Sequence, residues 1–166
     1  MVTENDIGKT VYIINEKGKI INGILRSFDN FFNICNILIS GWICNYYPQN
    51  VFCDKKSAFK SLISKMQELK LDKNEYKYLL KNHNNANAKT ELQNRNFCYF
   101  FHGFCNFGIG VLLSEFSYFN NDLYCCVLDI NSGYTMAIKK KNLYKTKEEA
   151  IQFVLRKLKE NEPFME

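Results

Sequence analysis

Apolar positions along this chain follow two periods in turn, and the change from one to the other happens twice. Residues 9 to 15 and 20 to 28 are rich in Val, Ile and Tyr, with a turn expected at Glu16-Lys17-Gly18-Lys19, which predicts a hairpin. Ile34 to Ile39 and Trp42 to Tyr47 give two more strands split by Ser40-Gly41, with loops marked by Asn30, Asn33 and Pro48. Val51-Phe52 closes the sheet. From Asp54 the period lengthens: Ala58, Phe59, Leu62, Ile63, Met66 and Leu69 form one helical stripe, and Lys55, Lys56, Lys60, Ser61 and Lys65 fall largely off it.

Leu71-Asp72-Lys73-Asn74-Glu75 then reads as a helix start, with Asp72 as cap and Glu75 at the capping-box position. That helix is expected from about Lys73 to at least Asn82, with Tyr76, Leu79, Leu80 and His83 on one side. Asn82 to Asn87 reads as a break or linker, although Ala86, Ala88, Glu91 and Leu92 are able to prolong a helix, and the boundary between units is expected at Asn84 to Lys89. The period of two returns in strands near Phe97 to His102, Gly108 to Phe116, Leu123 to Asp129 and Tyr134 to Ile138. Their turns are expected at Asn120-Asn121-Asp122 and Asn131-Ser132-Gly133. A closing helix carries Ala150, Ile151, Val154, Leu155 and Leu158, capped by Thr146-x-x-Glu149 and stopped by Pro163.

The second half repeats the first. Tyr12-Ile13-Ile14 corresponds to Tyr99-Phe100-Phe101, Ile20 to Phe107, and Gly23-Ile24-Leu25-x-Ser27 to Gly110-Val111-Leu112-x-Ser114, all 87 positions on. Val51 to Met66 corresponds to Leu143 to Leu158 at a spacing of 92, and a five-residue difference between strands is what a loop absorbs at little cost. The expected fold is α+β: two pseudo-equivalent units, each a small antiparallel sheet of four to five strands followed by one amphipathic helix, joined by a helical connector. The units span residues 1–70 and 97–166, with the connector at 71–96. A period this long signals duplicated domains rather than a solenoid.

Charge adds a candidate surface. The 166 residues carry a net charge of +5; residues 1–96 hold 14 Lys and Arg against 9 Asp and Glu, whereas residues 97–166 hold 8 against 8. Lys70, Lys73, Lys77 and Lys81 recur at i, i+3, i+7 and i+11, a spacing that stacks them on one helical face. Such a stripe follows phosphates or an acidic protein surface, with Tyr76 and Tyr78 beside it as stacking groups; more often it is the solvated side of a helix. Lys139, Lys140 and Lys141 form a second basic group at a strand end, where lysines also protect a sheet edge. The run Phe97 to Phe104 is apolar on both faces of a strand, the mark of a central or interface strand more often than a base-stacking one.

Chemistry is sparse. The seven cysteines include no Cys-x-x-Cys pair and accompany only two histidines, so structural zinc is not expected, and the thiols read as reduced core residues. Gly103-x-x-x-x-Gly108-x-Gly110 lacks the Lys-Ser/Thr of a phosphate loop. His102 with Cys98 or Cys105 is the nearest approach to a dyad, and burial would leave such a thiol inert. Asp29, Asp122 and Asp129 stand alone. No catalytic residue, metal site or cofactor is expected. No signal peptide and no run of apolar residues long enough to cross a membrane is seen, so the expectation is a cytoplasmic protein without membrane contact.

The element Leu143-Tyr144-Lys145-Thr146-Lys147-Glu148-Glu149-Ala150, a strand end and capped helix after a small sheet, resembles short β-rich domains of phage and mobile-element proteins. The first copy departs from it at Asp54-Lys55-Lys56-Ser57. Small, cysteine-tolerant and without active-site motifs, the chain also looks like the anti-defence inhibitors that such elements encode, including anti-CRISPR proteins. That likeness implies a non-enzymatic binding protein that inhibits or adapts a larger host complex such as a defence nuclease, with a host protein or nucleoprotein as partner and the host cytoplasm as location. The alternative is a nucleic-acid-binding module using the basic helix face and aromatic stacking.

Overall fold

Both alternating stretches fold as antiparallel sheets. The computed structural model describes residues 2–14, 20–102, 106–117 and 122–160, in an α+β arrangement of ten strands and four helices. The turns expected at Glu16 to Lys19 and at Asn120-Asn121, the loop residues Gly103 to Cys105 and the stop at Pro163 lie outside the described residues. Two compact units form. Among the described residues, the first holds those up to Ser64 and the last helix from Val154 onward; the second holds Lys65 to His102 and Asn106 to Phe153.

In the first unit, strands β1 (Thr10–Ile14), β2 (Ile20–Asp29), β3 (Ile34–Ile39), β4 (Trp42–Tyr46) and β5 (Val51–Phe52) lie in the order β4-β3-β2-β1-β5, every pair antiparallel. Val11, Ile13, Leu25, Cys35, Ile37 and Val51 point to one face and are buried together with Val2. Helix α1 (Lys55–Glu68) starts at Asp54, whose carboxylate accepts hydrogen bonds from the Ser57 amide at 2.7 Å and the Ser57 hydroxyl at 2.6 Å. Ala58, Phe59, Leu62 and Met66 on its stripe are buried, the three larger side chains contributing about 1.5–3 kcal/mol each.

Helices α2 (Lys73–Asn82) and α3 (Ala86–Asn94) open the second unit's ordered core. The break expected over Asn82 to Asn87 is short: the Asn85 side chain accepts from the Ala88 amide at 3.1 Å and starts α3, whose Ala88 and Leu92 are fully buried. Residues 71–96, expected as a connector, thus pack within the second unit. Strands β6 (Phe97–His102), β7 (Asn106–Ser117), β8 (Leu123–Asp129), β9 (Thr135–Lys139) and β10 (Leu143–Tyr144) follow, then α4 (Lys147–Glu160). The order is β10-β6-β7-β8-β9, which read from the other edge is the order of the first sheet. Thr146 and Glu149 cap α4 reciprocally: the Glu149 amide donates to the Thr146 hydroxyl at 3.1 Å, and the Lys145 and Thr146 amides donate to the Glu149 carboxylate.

The correspondence reaches single residues. The register slips between Leu25 and Ser27 in β2 and between Leu112 and Ser114 in β7, so each long strand bulges at the same point. Two residues earlier stand Gly23 and Gly110. A Cβ on Gly23 would lie 2.6 Å from the Ile37 side chain, and one on Gly110 would lie 2.5 Å from the Leu128 carbonyl oxygen. Close strand packing therefore excludes a side chain at both positions.

The faces differ. In the second sheet one face carries Cys98, Phe100, Cys125, Val127 and Ile138, the counterpart of the buried face of the first sheet. The other carries Ile109, Val111, Leu128 and Ile130, and α2 and α3 cover it with Leu79, Ala88 and Leu92. The Tyr76 hydroxyl donates to the Leu92 carbonyl at 2.9 Å, joining the two helices.

Candidate interaction surfaces

Helix α2 is held by its N-terminus. Asp72 accepts from the Asn74 and Glu75 amides at 2.9 and 3.0 Å. The expected return bond from Glu75 is replaced: the Asp72 amide donates to the Asn131 side chain at 2.9 Å, and Asn131 in turn donates to the Lys70 carbonyl. Glu75 lies instead over Gly133, whose φ of +74° needs glycine and where a Cβ would meet its carboxylate at 2.9 Å. The β8–β9 turn thus fixes the start of α2.

This anchoring separates the expected basic stripe. Lys73, Lys77 and Lys81 project into solvent from α2, whereas Lys70 precedes the cap and is off the helix. Tyr78 is 61 % exposed beside them. Tyr76 is not a free stacking platform, because its hydroxyl is bonded to α3 and its ring packs edge-on against Phe97 at 5.9 Å. Lys139 pairs with Asp122 at 3.0 Å, and Lys140 with Glu115 at 2.8 Å, a bond that holds the Lys140 ammonium pKa above its ordinary value. Lys141 is exposed. The nine expected partner-binding positions therefore separate into an outward face of α2 and a strand-end group largely occupied with local carboxylates.

A different surface went unrecognised in the sequence. Phe31, Phe32, Trp42, Ile43 and Tyr47 are 88, 64, 78, 65 and 57 % exposed, all in the first unit. Phe31 and Phe32 are presented by a built turn: both amides donate to the Asp29 carboxylate at 2.9 and 3.0 Å, Asn33 takes a left-handed φ of 52°, and the two rings meet edge-on at 4.8 Å. Trp42 and Ile43 lie on the edge strand β4, which has no charged residue. Ile24, Leu38 and Ile43 are register partners across β2, β3 and β4, forming an apolar row on the sheet face opposite the core. A signal was present: the 24 residues from Asn30 to Cys53 contain no Asp, Glu, Lys or Arg.

Three of the described thiols are buried and held protonated. Cys35, Cys98 and Cys125 are buried, Cys44 and Cys126 are half-buried and Cys53 is exposed; these six are free. Burial, with Cys125 nearby, pushes the Cys98 thiol up to about 12, and burial also raises Cys35 and Cys125. Cys98 donates to the Gly110 carbonyl at 3.4 Å rather than to an imidazole. Burial lowers the His102 pKa, against a smaller opposing effect of Asp129. A thiol whose pKa is raised by burial is protonated, and so weakly nucleophilic, at neutral pH. Among the described residues, no three His, Cys, Asp or Glu side chains converge as a metal site would, and no helix is long and apolar enough to cross a membrane.

The second unit also contains a cavity of about 900 Å³. Its floor is apolar, with Phe97, Cys98, Leu112 and Leu143, and its rim carries Glu91, Arg95, Glu115, Lys140 and Lys145. Set against known proteins, the chain matches no family model and no curated sequence.

Proposed function

We propose that this protein is a non-enzymatic binding protein that docks on a larger protein complex through the first unit, at the edge strand β4 and the Phe31–Phe32 turn. The carrying observation is the concentration of exposed apolar side chains on a charge-free strand: among the described residues β4 is the edge of its sheet, it carries no lysine or proline of the kind that blocks an incoming strand, and exposed aromatics supply the anchors that dominate protein interfaces. The paired topology and the matching bulges support an origin by internal duplication in which one copy kept a solvated face for a partner. An anti-defence inhibitor of a host nuclease, of the kind phage and mobile elements encode, is the reading that fits this scaffold and its exposed apolar edge.

The test is capture of host proteins by the intact chain and by Ile43→Lys, which puts a charge on the edge at a position already 65 % exposed. Loss of one specific captured complex with Ile43→Lys, and its retention with Lys73→Glu/Lys77→Glu, supports the reading; the reverse pattern overturns it. The second reading, nucleic-acid binding, is favoured by Lys73, Lys77 and Lys81 standing exposed beside Tyr78 on α2. It requires binding to DNA or RNA whose log affinity falls with log salt at a slope of about −3 for three phosphate contacts.

A further inference from the structure

The two units fill the same corner of their sheets differently. In the first, β1 begins at Thr10, yet pairing with β2 continues upstream, the Gly8 amide donating to the Leu25 carbonyl at 2.7 Å and the Leu25 amide to the Lys9 carbonyl at 3.1 Å. The segment before them brings in Val2, which is 3 % exposed and buried in one cluster with Val11, Leu25 and Cys35. Strand register makes Cys98, Leu112 and Cys125 the counterparts of those three residues. In the second unit the residues before β6 form α3 instead, β6 ends its pairing at Phe97–Val111, and β7 runs past it. Cys98, Leu112 and Cys125 consequently line the 900 Å³ cavity, at the position where the first unit seats an aliphatic side chain.

Charges around the mouth are unequally paired. Glu115 is neutralised by Lys140 at 2.8 Å. Arg95 and Lys145, also lining the cavity, make no ion pair among the described residues. Glu91 lies four positions before Arg95, but Arg95 leaves the helix in a left-handed conformation, φ 54°, and Glu91 accepts instead from the Asn96 side chain at 3.5 Å. The site thus joins an aliphatic floor to two uncommitted cations, in a volume within the range of about 300–1,000 Å³ usual for small-molecule pockets.

We propose that this cavity binds a small amphipathic carboxylate, its aliphatic body over Leu112, Leu143 and Phe97 in the place Val2 holds in the first unit, its carboxylate between Arg95 and Lys145. The experiment is calorimetric titration of the full chain with decanoate and, separately, with 1-decanol, for the wild type and Arg95→Gln/Lys145→Gln. Both side chains are exposed, so the variant keeps the fold, checked by circular dichroism. Expected are saturable one-site binding of decanoate, affinity at least about tenfold lower in the variant, and weak decanol binding that the substitutions leave unchanged. A second variant, Leu112→Asp, places a carboxylate on the floor and should abolish both. Decanoate binding equal in wild type and Arg95→Gln/Lys145→Gln, or no saturable binding by the wild type at millimolar decanoate, overturns the proposal.

Discussion

The first and second sheets have one strand order, one bulge and one obligatory glycine in common, yet corresponding residues meet opposite surroundings. Ile24 and Val111 are register counterparts; Ile24 is 38 % exposed, while Val111 is fully buried beneath α2 and α3. At the edges, β4 has no charged residue, whereas β9 ends in Lys139 and is followed by Lys140, each in an ion pair. At the corner the relation inverts: Val2 fills the first unit's core, and the second unit has a cavity. Strand order and core face are set by constraints both units satisfy, and the surfaces are set by what each unit places beside its sheet. The two units differ most at those surfaces.

The sharpest way to break this comparison is to place the same charge at corresponding positions. Val111→Asp buries an unpaired carboxylate and is expected to cost more than about 4 kcal/mol, enough to unfold the second unit, whereas Ile24→Asp should cost about 1 kcal/mol, both read from urea unfolding. Equal losses would mean that the first sheet's outer face is covered too. A smaller difference is expected at the glycines. Gly110→Ala drives a methyl to 2.5 Å from the Leu128 backbone carbonyl and should cost about 2–3 kcal/mol; Gly23→Ala meets the Leu38 backbone carbonyl at 2.8 Å as well as the Ile37 and Ile39 side chains and should cost slightly less, about 2 kcal/mol.

The helix caps of the two sheet-plus-helix arrangements differ in their response to pH. Thr146→Ala should cost about 1 kcal/mol, with little change between pH 3 and 7, because the lost hydroxyl does not titrate there. At the start of α1, hydrogen bonds from Ser57 hold the Asp54 carboxyl pKa below its ordinary value. A carboxylate depressed in the folded state stabilises above its unfolded pKa, about 4, and loses that contribution as pH falls through the lower folded value. The stability difference between wild type and Asp54→Asn should therefore shrink on acidification below pH 4, as followed by thermal melts. The smallest effect expected is in thiol labelling at pH 8: Cys53 should react first, and Cys98, with a pKa near 12, should react only on unfolding.

Much of the architecture was legible because it rests on local signals. Period-two runs, Ser40-Gly41, Asn131-Ser132-Gly133 and the Asp54 and Thr146 caps each act within a few residues, and each marks an element the fold contains. The parallel between Gly23 and Gly110 was visible as letters; its cause, the approach of a neighbouring strand, needs the register. The site was less legible. Lysine spacing placed Lys70 on a helix that Asp72 starts two residues later, since spacing alone does not show where a cap interrupts it. Tyr76 was grouped with Tyr78, but burial against α3 comes from residues sixteen positions away, beyond any periodic pattern. The exposed surface of the first unit was missed because apolar runs were read as core, although an uncharged stretch from Asn30 to Cys53 is also what a docking edge looks like.

Carbene footprinting of the free chain, resolved to single residues, tests the central claim most directly, because it reports which apolar side chains solvent reaches. Heavy labelling of Phe31, Trp42, Ile43 and Ile24, with protection of Ile109, Val111 and Leu128, is the expected result. Comparable protection of Ile24 and Val111, or of Ile43 and Leu128, would contradict the account, for the two sheets would then be covered alike.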